Sequence, residues 1–118
     1  MHNQTIVVTG AGRGIGAAIA QHFARLDSNV VLLGRTDKGI VTLANTLREK
    51  GFSARAIRCD VTEFLQVESA FKETLETFGS VDVLVYNAGT IEPIARMVDS
   101  DPKLWGQAID INLKGPYH

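Results

Sequence analysis

The sequence predicts an α/β fold built on a doubly wound parallel sheet. Three observations predict it. Short β-branched and apolar runs alternate with segments of helical periodicity along most of the chain. The runs are apolar nearly throughout rather than at every second position, as in strands covered on both faces. Glycines or polar clusters separate runs from periodic segments, with no linker, internal repeat or low-complexity tract between them. Right-handed crossovers between such units place helices on both faces of one sheet.

Each element has its own signal. Ile6-Val7-Val8 ends in a glycine turn and reads as the first strand. Ile15, Ala18/Ile19, His22/Phe23 and Leu26 then recur three and four apart, which predicts a helix with that stripe toward the sheet. Asp27-Ser28-Asn29 punctuates. Val30 to Leu33, closed by Gly34, is the second strand. A second helix is expected from about Asp37 to Lys50, with Ile40, Leu43/Ala44 and Leu47 on one face. Gly51 lies just past its end, where a left-handed cap belongs. Ala54 to Cys59 is a weaker third strand, interrupted by Arg55 and Arg58. Thr62 is the expected N-cap of a third helix marked by Phe64, Val67, Phe71, Leu75 and Phe78, and Gly79 ends it. Val81 to Tyr86 is the fourth strand, interrupted only by Asp82. A loop with Pro93 follows. A last helix is expected to start near Ser100-Asp101-Pro102, a polar cap with proline in the first turn.

Composition narrows the function classes. The chain has 118 residues, room for one hydrophobic core and not two. Apolar residues make up 45% and charged residues 21%, the profile of a soluble globular protein. The formal net charge of −1, without like-charge runs, gives no basic footprint for nucleic acid. The single cysteine, Cys59, excludes an internal disulfide framework and fits a reducing compartment. No apolar stretch is long enough to cross a bilayer, and the N-terminus lacks the pattern of a secretion signal. A cytoplasmic protein without nucleic-acid or membrane partners is expected. His2, His22 and His118 have no ligand spacing, so no metal is expected.

The chemistry begins at the turn after the first strand, Thr9-Gly10-Ala11-Gly12-Arg13-Gly14-Ile15-Gly16. Glycines let a backbone approach a pyrophosphate, and the following helix offers free N–H groups and a positive dipole end. This is where a Rossmann dinucleotide site carries its fingerprint. Spacing alone allows two registers: Gly12, Gly14 and Ala17, or Gly10, Gly14 and Gly16. At the end of the second strand an NAD site places a carboxylate for the ribose hydroxyls, whereas a 2′-phosphate prefers arginine. This chain has Gly34-Arg35-Thr36 there. Arg35 and Arg13 offer planar forks suited to phosphate, which favours NADP(H) over NAD(H). Asp37 lies close enough to compete for a hydroxyl but reads better as a cap of the second helix.

These residues, with three later motifs, resemble the short-chain dehydrogenase/reductase family. Thr9-Gly10-x-x-x-Gly14-Ile15-Gly16 resembles its glycine motif and selects the register Gly10, Gly14 and Gly16. Asp60-Val61 looks like its adenine-contacting pair, and Asn87-Ala88-Gly89 matches its Asn-Ala-Gly motif. Asn112-Leu113-Lys114-Gly115 looks like the segment carrying its structural and catalytic asparagine. The resemblance runs over essentially the whole chain. It implies that Gly10, Gly12, Arg13, Gly14, Ile15, Gly16, Arg35, Thr36, Asp60, Val61, Asn87, Ala88 and Gly89 bind the cofactor. It implies that Asn112 is catalytic, its carbonyl holding a water in a proton relay. Pro116, four residues on, cannot donate to that carbonyl, so a kink is expected there.

The family transfers hydride between a nicotinamide and a carbonyl or alcohol. It uses a tyrosine, a lysine four residues later that lowers the tyrosine pKa, and a serine that orients substrate. Here Tyr86 precedes Thr90 by four and Tyr117 is penultimate, so neither forms Tyr-x-x-x-Lys. The expectation is therefore the N-terminal part (1–118) of a longer single domain, its sheet incomplete beside the fourth strand. The full-length form is expected to be a homo-oligomer acting on a small carbonyl or alcohol. A non-catalytic nucleotide-binding module or a non-functional remnant is the alternative. Ile91 to Val98 is the stretch expected to edge a substrate pocket, and Trp105 is expected to serve packing or a subunit contact rather than a substrate platform.

Overall fold

A computed structural model describes residues 4–12, 14–87 and 103. Its elements run β1 (Thr5–Thr9), α1 (Gly14–Arg25), β2 (Asn29–Gly34), α2 (Asp37–Glu49), β3 (Ala54–Arg58), α3 (Phe64–Phe78) and β4 (Val83–Val85). The four strands form one parallel sheet in the order β3-β2-β1-β4. This is the expected doubly wound layout. Among the described residues β4 pairs on one side only, with β1.

Strand parity divides the core. Ile6, Val8, Val30 and Leu32 point to one face, where α1 and α2 cover them with Ala20, Ala24, Ile40, Ala44 and Leu47. Val7, Val31 and Leu33 point to the other, where α3 brings Val67 and Ala70. β1 and β2 are therefore apolar at consecutive positions because both faces are dry, and their central residues have essentially no solvent exposure. Full burial of such side chains contributes roughly 1.5–3 kcal/mol each.

The structure corrects four expectations. The buried stripe of α1 is Gly16, Ala20 and Ala24, not the larger residues, and Leu26 lies beyond the helix with 42% exposure. Ile15 is 72% exposed. Small side chains let α1 approach the sheet, while Ile19 and Phe23 pack along its flanks. On α3 the buried positions are Val67, Ala70 and Thr74, and Phe64 and Leu75 face outward. Thr62 does not cap α3. Its N–H and hydroxyl both donate to Asp60 Oδ1, at 3.0 and 2.7 Å, and Glu63 occupies the cap position without a side-chain bond. Finally, β4 is three residues long rather than six, and Asp82, just before it, is joined to β1 through both its main chain and its side chain. The Thr5 N–H donates to Asp82 Oδ2 at 2.7 Å, and the Asp82 N–H donates to the Thr5 carbonyl at 2.9 Å.

Helix ends follow glycine chemistry where it was expected. Gly51 and Gly79 adopt left-handed φ values of 86° and 84° beyond α2 and α3. Among the described residues no helix is long and apolar enough to cross a membrane. The expected Pro93 loop, the helix from Ser100-Asp101-Pro102, Trp105, Ile91 to Val98 and the Pro116 kink lie outside the described residues.

Candidate functional site

The strand order fixes where a site can form. β1 leads leftward to β2 and β3, after which the chain crosses back to β4 on the other side of β1. The carboxyl end of β1 is thus the topological switch point, where open α/β sheets leave a crevice. Gly10 to Gly12 and the start of α1 at Gly14 emerge there, with Arg35-Thr36 after β2, Asp60-Val61 after β3 and Asn87 after β4. Four separate stretches of sequence meet at one edge of the sheet.

Backbone geometry selects one glycine register. Gly10 and Gly14 have φ of 61° and 62°, a region that side chains with a Cβ rarely adopt. Gly16 has an ordinary φ but no room: an added Cβ would lie 2.2 Å from the Gly10 carbonyl oxygen and 2.6 Å from Asn87 Nδ2. Gly12 has neither constraint, with nothing nearer than 3.7 Å. Gly10, Gly14 and Gly16 are thus the positions where the fold requires glycine.

Asn87 fastens this turn to β4. Its N–H donates to Thr9 Oγ1 at 3.0 Å, and its Nδ2 donates to the Gly10 carbonyl at 3.3 Å. The first turn of α1 carries no acidic residue, so the positive end of that helix meets no carboxylate of its own. Such an end favours an anion.

Arg35 and Thr36 form the exposed turn between β2 and α2. Thr36 is the N-cap of α2 in extended conformation, with no side-chain capping bond. Asp37 is the first residue of the helix, not its cap. The positive charge of Arg35 reaches Asp60. Partial burial raises the Asp60 pKa, but the two hydrogen bonds from Thr62 and the Arg35 charge outweigh it and hold the carboxyl below its usual range. The Asp60 N–H donates to Gln66 Oε1 at 2.8 Å, and Val61 is buried. Burial pushes the Tyr86 hydroxyl above its ordinary value. That is opposite to the shift a proton-transferring tyrosine needs at neutral pH. Arg13, Ala88, Gly89 and Asn112 lie outside the described residues.

Comparison with known proteins decides what this edge belongs to. A family model described as short chain dehydrogenase matches residues 4–118. The chain belongs to the short-chain dehydrogenase family. It is 36% identical over 117 residues to an uncharacterized oxidoreductase of Thermotoga maritima, covering 99% of this chain and 45% of that protein. It is 41% identical over 109 residues to a cis-4-hydroxycyclohexanecarboxylate dehydrogenase of Sinomonas cyclohexanicum, covering 92% of this chain and 43% of that one. A solved structure of an actinorhodin polyketide ketoreductase with NADPH superposes with a TM-score of 0.91 at 32% identity, covering 97% of this chain and 43% of that chain. The chain spans less than half the length of these relatives.

Within this short-chain dehydrogenase fold, two contributors to the edge escaped sequence reasoning. Gly39, in the first turns of α2, lies so close to the glycine turn that an added Cβ would come 2.5 Å from the Gly12 carbonyl oxygen. Gln66 reaches back from α3 to the Asp60 backbone. A glycine inside a helical pattern is a recognisable signal of close approach; a glutamine on an exposed helix face is not.

Proposed function

We propose that this chain is the cofactor-binding portion of an NADP(H)-preferring short-chain dehydrogenase that exchanges hydride with a carbonyl or alcohol substrate. The observation that carries the reading is Arg35 at the end of β2, with its turn exposed and no carboxylate in the strand end itself. The cradle fits a dinucleotide. Gly10, Gly12 and Gly14 leave the backbone bare where a pyrophosphate would approach the N-terminus of α1, the buried Gly16 lets that helix close on the Gly10 carbonyl, and the exposed Ile15 lies beside them. Arg35 and Thr36 would take the 2′-phosphate, with Arg13 as a second guanidinium. Asp60 and Val61 would face the adenine, and Asn87 with Ala88 and Gly89 would border the nicotinamide half.

When bound, the nicotinamide supplies the hydride or accepts it. This chain's own residues bind and orient it. Asn112 is assigned the carbonyl that holds a water of the proton relay. The active whole would contain a serine and a Tyr-x-x-x-Lys beyond these residues and would assemble as a homo-oligomer.

The test is Arg35→Ala. A charge-assisted phosphate contact contributes about 1.5–3 kcal/mol, so NADP(H) affinity should fall about ten- to hundredfold. NAD(H) affinity, measured by the same titration, should change little. Equal losses of both cofactors would remove the preference.

A further inference from the structure

Arg58 closes β3 at an unusual place. It is the register partner of Gly34, the last residue of β2, and it is exposed. Strand parity puts its side chain on the face that carries α2, because an added Cβ at Gly34 would meet Ile40 of that helix. Its Nε donates to the Arg35 carbonyl at 3.2 Å. The next residue repeats the attachment: the Cys59 N–H donates to the Gly34 carbonyl at 2.8 Å. Two bonds from β3 therefore hold the turn that leads from β2 to α2, on successive carbonyls.

An arginine used only to cover a strand end needs no main-chain acceptor in the neighbouring turn. Here the Nε–H is committed to that acceptor, which ties the planar guanidinium to the main chain of the turn that carries Arg35. No carboxylate pairs with Arg58 among the described residues. A turn held in this way keeps Arg35 presented at the strand end, where a guanidinium can make charge-assisted bonds to a dianion.

We propose that Arg58 is a positioning residue for a phosphate monoester at the end of β2, fixing through the Arg35 carbonyl the turn that presents Arg35 and Thr36. The inference rests on the reading of that turn as the 2′-phosphate site. It makes Arg58 a determinant of the choice between the two cofactors, contributed by the strand next to the one that carries Arg35.

The probes are 2′,5′-ADP and 5′-AMP, titrated calorimetrically into the full chain, its Arg58→Met variant and its Arg35→Ala variant. Methionine keeps an unbranched stem and loses the donor. Arg58→Met should weaken 2′,5′-ADP about five- to tenfold and 5′-AMP less than about twofold. A general loosening of the fold would weaken both probes alike. If Arg35→Ala discriminates between the probes and Arg58→Met does not, the role of Arg58 is overturned and the phosphate site stands. If Arg35→Ala does not discriminate either, the site itself is overturned and Arg58 with it.

Discussion

The thiol of Cys59 reports how tightly the end of β3 is closed. It is buried at 1% exposure, one residue before Asp60. Burial first, and then the negative charge of Asp60, raise its pKa to about 11. At pH 8 only about a thousandth of such a thiol is ionised, and the thiolate is the reactive form. The folded chain should therefore react with iodoacetamide far more slowly than the same chain in denaturant, and similar rates would mean that this end of the sheet is open. Asp60 itself gives a pH dependence. Its folded pKa lies below the unfolded value, so its contribution is complete above the ordinary aspartate range near pH ~4 and is lost as pH falls through the folded value. Urea titrations below pH ~4 should show Asp60→Asn losing less stability on acidification than the parent chain. The motif Asp60-Val61 was legible in the sequence. Its hydrogen bonds were not, because Thr62 has the composition of a cap and spends both its donors on Asp60 instead.

Contacts between elements reverse some propensities. Glycine within a helix ordinarily costs about 1 kcal/mol against alanine. At Gly39 the sign should invert, since an added methyl would meet Gly12 backbone atoms at 2.5 and 3.0 Å, and backbone cannot swing aside. We expect Gly39→Ala to lose about 1–3 kcal/mol in urea denaturation; a stabilised variant would refute the close approach of α2 to the glycine turn. β4 depends on another short link. Asp82→Ala would leave the N–H of buried Thr5 without its acceptor, for an expected loss of about 1–3 kcal/mol, while Asp82→Asn should keep most of the stability. Such links explain which elements could be read in advance. β1 and β2 announce themselves because both faces are covered. The contact face of α1 does not, because glycine and alanine carry little hydrophobic signal although they make the closest packing. Asp82 looked like a flaw inside a strand, and its role depends on Thr5, far away in sequence.

At the scale of the whole molecule, the site exists only because the sheet order brings four distant segments to one edge. The glycine turn, Arg35, Asp60 and Asn87 were each legible as motifs, and their shared order along the chain implied the family that the comparisons establish. Arg58 was not legible as part of the site. It interrupts an apolar run, and only its pairing with Gly34 and its bond to the Arg35 carbonyl place it there. The central claim is that this edge binds a dinucleotide and prefers the one with a 2′-phosphate. A ligand that binds only the folded chain must stabilise it, by about 2.7 kcal/mol at a hundred times its Kd. The most direct measurement is the melting temperature of the chain with NADP⁺ or NAD⁺ at equal concentration. The account predicts a rise with both and a larger rise with NADP⁺. No rise with either nucleotide would contradict it.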